Sequence, residues 1–311
     1  MRRFGGPNGA VTACVMRGVG VQVHCESGSR QADLGRRARH AQPGSWAACT
    51  GRKSPRPHRI NIHMHRFYSP FPRLPGAPVN LPPAVARQCA VVLRLHASES
   101  IALFDGTGEE AVVILDRVSP QGVEGHVEFF STPTREPLFR LELAVALPRQ
   151  DKWEWILQKG TEVGAASFQP IETMRCVARL APGDWDRKSE RWGRILVEAA
   201  EQSGRTRLPD LKAPLTLQAL AKSERAGVVL HTGPGLSSLR SIMTDVILPR
   251  KHHDLVMALG PEGGLDPVEV RLLVDSGWIA ASMGPRTLRC ETAALVAATI
   301  VLDAAGEMEV R

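Results

Sequence analysis

The 311-residue chain is 43% hydrophobic and 23% charged, an ordinary balance for a folded protein with room for two cores. No apolar run reaches the roughly 18 residues that a membrane-spanning helix needs, and the net charge of +7 is uneven. Residues 1–63 carry 11 Lys+Arg against 2 Asp+Glu, whereas residues 64–311 carry 28 against 30.

The first 63 residues show no sustained periodicity and are rich in Arg, Gly, Ser and Pro. Without an apolar h-region they do not read as a secretory signal. A disordered RNA-binding arm, a targeting segment and translated upstream sequence remain as readings. The abrupt onset of patterned sequence at "MHRFYSP" (64–70) favours the last, with the start at Met64.

Residues 64–137 read as a small all-β domain, a compact β-barrel. "LPPAVARQCAVVLRL" (81–95) suggests a short helix running into an extended segment. "SIALFDGTGEEAVVIL" (100–115) is two apolar runs around Asp105-Gly106-Thr107-Gly108, a hairpin signal. "GVEGHVEFF" (122–130) alternates in part as another strand, and "STPTREP" (131–137) is a turn-rich linker.

From 138 the period changes. "LFRLELAVALP" (138–148) reads as a strand, and "DKWEWILQKGTEVG" (151–164) as a helix with Trp153, Ile156, Gly160 and Val163 on one stripe and Gly164 as its stop. "ASFQPI" (166–171) is a strand. "DRKSERWGRILVEAAEQSG" (186–204) is a long helix burying Trp192, Ile195, Leu196 and Ala199. Strands follow at 226–231, 254–260 and 278–284, with helices between them and a last helix over 291–305. Alternating strands and helices predict an α/β domain with a parallel sheet covered on both faces. Ligands then lie beyond the carboxyl ends of the strands.

Three stretches carry chemistry. In "LGPEGGLDPVE" (259–269), Asp266, Pro267 and Glu269 form a helix start with a capping-box pair. Gly260, Gly263 and Gly264 suit either a tight βα turn or close approach of backbone to a ligand. Neither GxGxxG nor a Lys-Ser/Thr follows, so the loop is a poor phosphate cradle. Its Glu262 suits an uncharged or cationic ligand. In "MGPRTLRCETA" (283–293) a second strand ends in Gly-Pro, with Arg286, Arg289 and Glu291 leading into an apolar helix. In "EAAEQSGR" (198–205), Glu198, Glu201 and Arg205 share one helix face, and Gln202 and Ser203 offer groups that suit a nucleobase. Cys89, Cys176 and Cys290 show no metal-ligand spacing and read as reduced thiols, with no metal expected.

Together with "WILQKGTEVG", these motifs in this order resemble the RsmE family of 16S ribosomal RNA (uracil-N3)-methyltransferases, over roughly 64–311. "MHRFYSP" and "VLRLHASESIALFDGTG" are similar to the family's N-terminal PUA-like barrel. The resemblance implies a SPOUT-type α/β methyltransferase domain over 138–311 with a C-terminal trefoil knot, which general rules of chain topology would not suggest. It implies a cytoplasmic homodimer that uses S-adenosyl-L-methionine and acts on 16S ribosomal RNA within the small ribosomal subunit. The cofactor is expected among three loops, against Leu230, His231, Leu259, Gly260, Pro261, Gly263, Gly264, Met283, Gly284, Thr287 and Leu288. Arg289 is the first candidate to stabilise charge developing on the uracil, and Glu291 or Glu262 to orient the base or accept its proton. Arg66, Lys159, Arg175, Glu198, Gln202 and Arg205 are the RNA-facing candidates. The rival readings are a non-catalytic RNA-binding module on the same fold, a methyltransferase for another RNA nucleotide, and a nucleotide-dependent oxidoreductase. The missing GxGxxG argues against the last.

Overall fold

The computed structural model describes residues 64–309 except Val177 and Pro182; the expectations for residues 1–63 lie outside the described residues. Two sheets organise the chain. The first contains β1 (Arg66–Tyr68), β2 (Pro78–Asn80), β3 (Ser100–Phe104), β4 (Glu110–Ser119) and β5 (Gly122–Ser131), hydrogen-bonded in the order β1-β3-β4-β5-β2. β3 and β4 form the anticipated hairpin, pairing Ile101 with Val113 and Leu103 with Ala111. Its turn needs left-handed backbone at Gly106 (φ +89°) and Gly108 (φ +103°), which glycine adopts at no steric cost. Phe67, Val79, Ile101, Leu103, Val113, Leu115, Val123 and Val127 make its core. The segment 81–95 departs from expectation. Helix α1 (Pro83–Arg87) continues as a wide π turn over Gln88–Val92 instead of running into extended chain. Cys89 is thereby buried while Val91 and Val92 stay exposed.

The second sheet is wholly parallel. Its main order is β12-β10-β11-β6-β7-β8, with β9 paired to β7. β6 (Arg140–Ala146) is buried from its second residue onward, as a central parallel strand must be. Alternate residues of β6 and β11 (Asp254–Leu259) feed two cores. Leu141, Leu143, Val145, Leu255 and Met257 pack on one face with Trp153, Ile156, Trp192, Leu196 and Ala298. Ala144, Ala146, Val256 and Ala258 pack on the other with Leu217, Leu265, Leu273 and Trp278.

The first of these cores belongs to α2 (Gln150–Val163), α3 (Asp184–Ser203) and α7 (Cys290–Ala304). α2 and α3 end at Gly164 and Gly204 in left-handed conformation, where the sequence placed their stops. Trp153 is fully buried, edge-on to Phe168 of β7 (Ser167–Glu172) and to Trp192 of α3. The short β8 (Asp210–Leu211), β9 (Leu215–Thr216) and α4 (Leu217–Leu220) had no sequence signal of their own. Between β10 (Gly227–Leu230) and β11 the chain runs through α5 (Leu239–Ile242), a π turn and a 3₁₀ turn. α6 (Pro267–Asp275) then leads to β12 (Ile279–Ala281).

β10 lies between β11 and β12, and all three run parallel. Their C-terminal loops therefore leave the same edge of the sheet, the place where α/β sheets bind ligands.

Candidate active site

The loop after β11 is built around glycine for a steric reason. A Cβ on Gly260 would stand 2.7 Å from the Leu265 amide nitrogen, and Gly264 sits at φ +69°. The Gly264 N–H donates to the Pro261 carbonyl at 2.8 Å, closing the turn. The capping box forms as read: Asp266 accepts from the Val268 N–H at 3.0 Å, and Glu269 accepts from the Asp266 N–H at 2.8 Å. Glu269 is buried and also accepts from the Met174 N–H. Arg175, which also lines the cavity, holds the loop by donating to the Gly263 carbonyl at 3.0 Å and to Asp266 at 2.9 Å.

The loop after β10 is tied to β12 where the His231 N–H meets the Ala281 carbonyl at 3.0 Å. The loop after β12 turns at Gly284 (φ +105°) and enters α7 at Cys290. The three loops converge on one cavity of about 310 Å³, a volume that suits a small organic ligand. Leu230, His231, Leu259, Gly260, Pro261, Gly263, Gly264, Met283, Gly284, Thr287 and Leu288 all line it. Thr232 and Arg286, from two of the loops expected to hold the cofactor, line it too, and Leu265, Cys290 and Ala293 were not anticipated there.

This lining suits a neutral planar group beside a cation. Apolar side chains and glycine backbone make most of the wall; its charged members are Glu262, Arg286 and Arg175, the last already occupied by the loop. Burial pushes the Cys290 thiol up to about 12, and the charges of Glu291 and Glu262 add to the effect. The thiol is therefore protonated near neutrality and is no nucleophile.

The three catalytic candidates separate. Glu262 lines the cavity, whereas Arg289 and Glu291 lie just outside that lining, at the start of α7. What joins them is Lys152, in the first turn of α2. Its ammonium hydrogen-bonds the Glu262 carboxylate and stands 3.7 Å from Glu291 Oε2. Oε2 of Glu291 is buried and accepts no hydrogen bond. The bond from Lys152 holds the Glu262 carboxyl below its usual range, and the same bond raises the Lys152 ammonium. Nothing in the sequence marked Lys152, because one lysine in the first turn of an amphipathic helix reads as surface charge.

The RNA-facing candidates fare unevenly. Arg205 is a correction. Its side chain is only 7% exposed, and it spends its donors on Glu136, at 2.9 and 3.1 Å, and on the Thr161 and Ala165 carbonyls. A guanidinium so enclosed is a structural tie with nothing left for phosphate. Arg66 is bound to the buried Glu110 carboxylate, which Arg135 and Ser131 also contact, and it lines one cleft with Glu198 and Gln202. Arg175 serves the glycine loop, and Lys159 pairs with Glu162 at 2.7 Å. Glu198 and Gln202 line a different cleft, of about 550 Å³, between α3 and the first sheet. Among the described residues no cluster of His, Cys, Asp and Glu is arranged to hold a metal ion.

A family model for the RNA methyltransferase domain matches residues 134–302. A Bacillus subtilis protein named ribosomal RNA small subunit methyltransferase E is 33% identical over 214 residues, covering 68% of this chain and 84% of that protein. The chain belongs to the ribosomal RNA small subunit methyltransferase E family. The Synechocystis member is 35% identical over 225 residues, 71% of each chain. Among solved structures, a Legionella pneumophila methyltransferase in complex with S-adenosylmethionine superposes with a TM-score of 0.70 at 30% identity. It covers 78% of this chain and 98% of its own. The Neisseria gonorrhoeae ribosomal RNA small subunit methyltransferase E, bound to S-adenosylmethionine, gives 0.69 at 28% identity, with the same coverage. In this family member the glycine-lined cavity and the Lys152 cluster fall within the stretch that the domain match covers.

Proposed function

We propose that the protein methylates N3 of a uridine in 16S ribosomal RNA, with S-adenosylmethionine as donor. The observation that carries this reading is the convergence of the loops after β10, β11 and β12 on one glycine-lined, mostly uncharged cavity. Adenosine needs backbone donors and apolar walls, which Gly260, Gly263, Leu230, Leu259 and Leu288 offer. A sulfonium cation needs no phosphate clamp, and the carboxylate in the wall, Glu262, is already paired with Lys152 and completes the polar side of the cavity. The donor supplies an electrophilic methyl group, whose bond to sulfur breaks with the electron pair left on sulfur as N3 forms the new bond.

The remaining chemistry falls to side chains of the chain. N3 of neutral uracil carries a proton and no free lone pair, so that proton leaves before or during attack. The charge that results spreads over O2 and O4. Arg289, at the mouth of the cavity, stabilises it as an oxyanion hole does, and Glu291 accepts the proton. N3 lies on the pairing edge of the base, so the uridine is taken unpaired or extruded from its helix.

In this reading residues 64–137 form a PUA-like barrel that binds RNA, and residues 138–311 a SPOUT domain knotted near its C-terminus. The active form is a cytoplasmic homodimer acting on the assembled small subunit. With Arg66 and Arg205 engaged internally, the RNA contacts pass to Glu198 and Gln202 and to exposed arginines such as Arg87 and Arg207.

The test is methyl transfer from labelled S-adenosylmethionine to small ribosomal subunits that lack the modification, with identification of the methylated nucleoside. N3-methyluridine is the expected product. No incorporation by folded, dimeric protein would move the reading to a non-catalytic RNA-binding module.

A further inference from the structure

Lys152 stands where three elements meet: the first turn of α2, the glycine loop after β11, and the start of α7. It bonds Glu262 and lies 3.7 Å from Glu291 Oε2. Arg289 and Arg149 are the other charges that act on this group, and the Cys290 thiol beside it is neutral. Lys152 is the cation of this group that is bonded to a carboxylate, whereas Arg289 and Arg149 act on Glu262 with no hydrogen bond to it, so without Lys152 the two carboxylates would have no bonded counter-charge at the place where a uracil must become anionic. Two like charges close together disfavour a third. With Lys152 both carboxylates have a cation within 4 Å, held from a separate element, the first turn of α2.

We infer that Lys152 is a positioning residue for the methyl transfer: it neutralises and anchors Glu262, leaving Glu291 as the carboxylate that takes the N3 proton beside Arg289. The inference rests on the reaction proposed above. It assigns different work to the two carboxylates. Glu262 has its charge matched by a direct hydrogen bond and serves the cavity wall. Glu291 takes no hydrogen bond from the described residues: its Oε2 is buried 3.7 Å from Lys152, and with 17% of the side chain exposed Oε1 is the atom able to accept a proton. The N3–H bond breaks, its proton goes to the Glu291 carboxylate and then to water, and the pair left on N3 forms the bond to the methyl carbon.

The test uses the full chain on small ribosomal subunits, with kcat, KM for each substrate and the pH profile of kcat/KM measured for K152M, K152Q and K152R. A second set is E262Q and K152M/E262Q. Calorimetric binding of S-adenosylmethionine and a thermal melt accompany each variant. K152M is expected to lose kcat on the order of 10- to 100-fold with little change in cofactor affinity. The acid limb of its profile should move to higher pH, because the carboxylates lose the cation that favours their charged form. K152R should keep most of the activity. K152Q, which keeps a donor for Glu262 without the charge, should fall with K152M and carries the comparison if K152M melts early. The double variant K152M/E262Q should recover part of the lost kcat, because removing the Glu262 charge restores the balance. A kcat for K152M and K152Q within about twofold of wild type, with an unmoved acid limb, overturns the inference while the reaction stands. Equal losses in K152M and K152M/E262Q, together with lost cofactor binding, reduce Lys152 to a structural tie and also overturn it. A wild-type protein that makes no N3-methyluridine overturns the reaction and this inference with it.

Discussion

In the proposed reaction Arg289 carries charge for catalysis, whereas Glu142 carries it for stability, and substitutions at the two separate these effects. Arg289 is exposed and lies outside the cavity lining. Arg289→Ala is therefore expected to leave S-adenosylmethionine affinity and melting temperature nearly unchanged while kcat falls by about 10²- to 10³-fold; calorimetry and single-turnover methylation check both halves. Glu142 is buried in the middle of β6, only 2% exposed, against Lys212, Arg225 and the Ser167 hydroxyl. Burial alone would raise its carboxyl, but the hydrogen bonds from Arg225 and Lys212 outweigh that and hold it below the usual range. A depressed folded-state value means a contribution to stability that is present at neutral pH and lost as pH falls through that value. Glu142→Gln should cost about 2 kcal/mol near neutrality, and its gap from wild type should close in acid denaturation curves. A gap that holds constant with pH would show that the carboxylate charge plays no part. Of these residues Arg289 was singled out in the sequence, because it sits in a short motif with Gly284 and Glu291. Glu142 was not, since one acid in an apolar strand does not announce that Lys212 and Arg225 reach it from other elements. Lys152 was invisible for the same reason: its partners lie about 110 and 140 residues away in the chain, and spacing within one helix cannot report them.

At the level of elements, what sequence periodicity showed best was what is local. The stops of α2 and α3, the capping box of α6 and the β3–β4 hairpin each depend on residues a few positions apart. The π turn after α1 and the broken helical path between β10 and β11 depend on packing against distant residues and were not anticipated in detail. Gly160 shows how tertiary packing overrides propensity. Alanine is the better helix former by about 1 kcal/mol, so Gly160→Ala in α2 would stabilise an isolated helix. In the fold, a Cβ there would meet Phe168 of β7 at 2.7 and 2.9 Å, and that ring is itself fully buried against Trp153. The aromatic side chain has no open side to which it can withdraw. Gly160→Ala is therefore expected to destabilise the protein by about 1–3 kcal/mol, read as a lowered urea midpoint with an unchanged m-value. A rise in the midpoint would mean that α2 can shift away from the sheet.

Across the whole molecule, the two sheets are joined by a segment that looked from its sequence like a simple turn-rich linker, yet it is fastened along its length. Arg135 donates to Glu110 of β4, and the Leu138 and Phe139 amides donate to Glu307 beyond α7, at 3.0 and 2.9 Å. Between them Glu136 accepts from Arg205 and from the amides of Thr206 and Arg207, at 2.7 and 3.0 Å. The Tyr68 amide of β1 adds a direct tie to Glu201 of α3 at 2.8 Å. The consequence is mechanical. In the proposed reading the first sheet holds RNA, which is presented to the cavity in a fixed pose only if this segment is stiff, and Glu136 accepts four hydrogen bonds within it. Glu136→Ala would leave the enclosed Arg205 charge without its carboxylate, at a cost of about 3–5 kcal/mol, and would strip two backbone amides of their partner. Of the six tryptophans, Trp46 lies outside the described residues and the other five, Trp153, Trp155, Trp185, Trp192 and Trp278, lie in or beside the second sheet, so in a Trp46→Phe background fluorescence reports on that half, whereas far-ultraviolet circular dichroism reports on both. With Glu136 intact the two signals should share one urea transition, as coupled halves do. In Glu136→Ala the midpoints should fall and separate, cleavage by a broad-specificity protease should appear within 132–139, and KM for the ribosomal subunit should rise more than KM for S-adenosylmethionine. Coincident transitions and a protected linker in the variant would show that the two sheets are coupled through the β1–α3 contact and that the buried Glu136–Arg205 pair is dispensable to it.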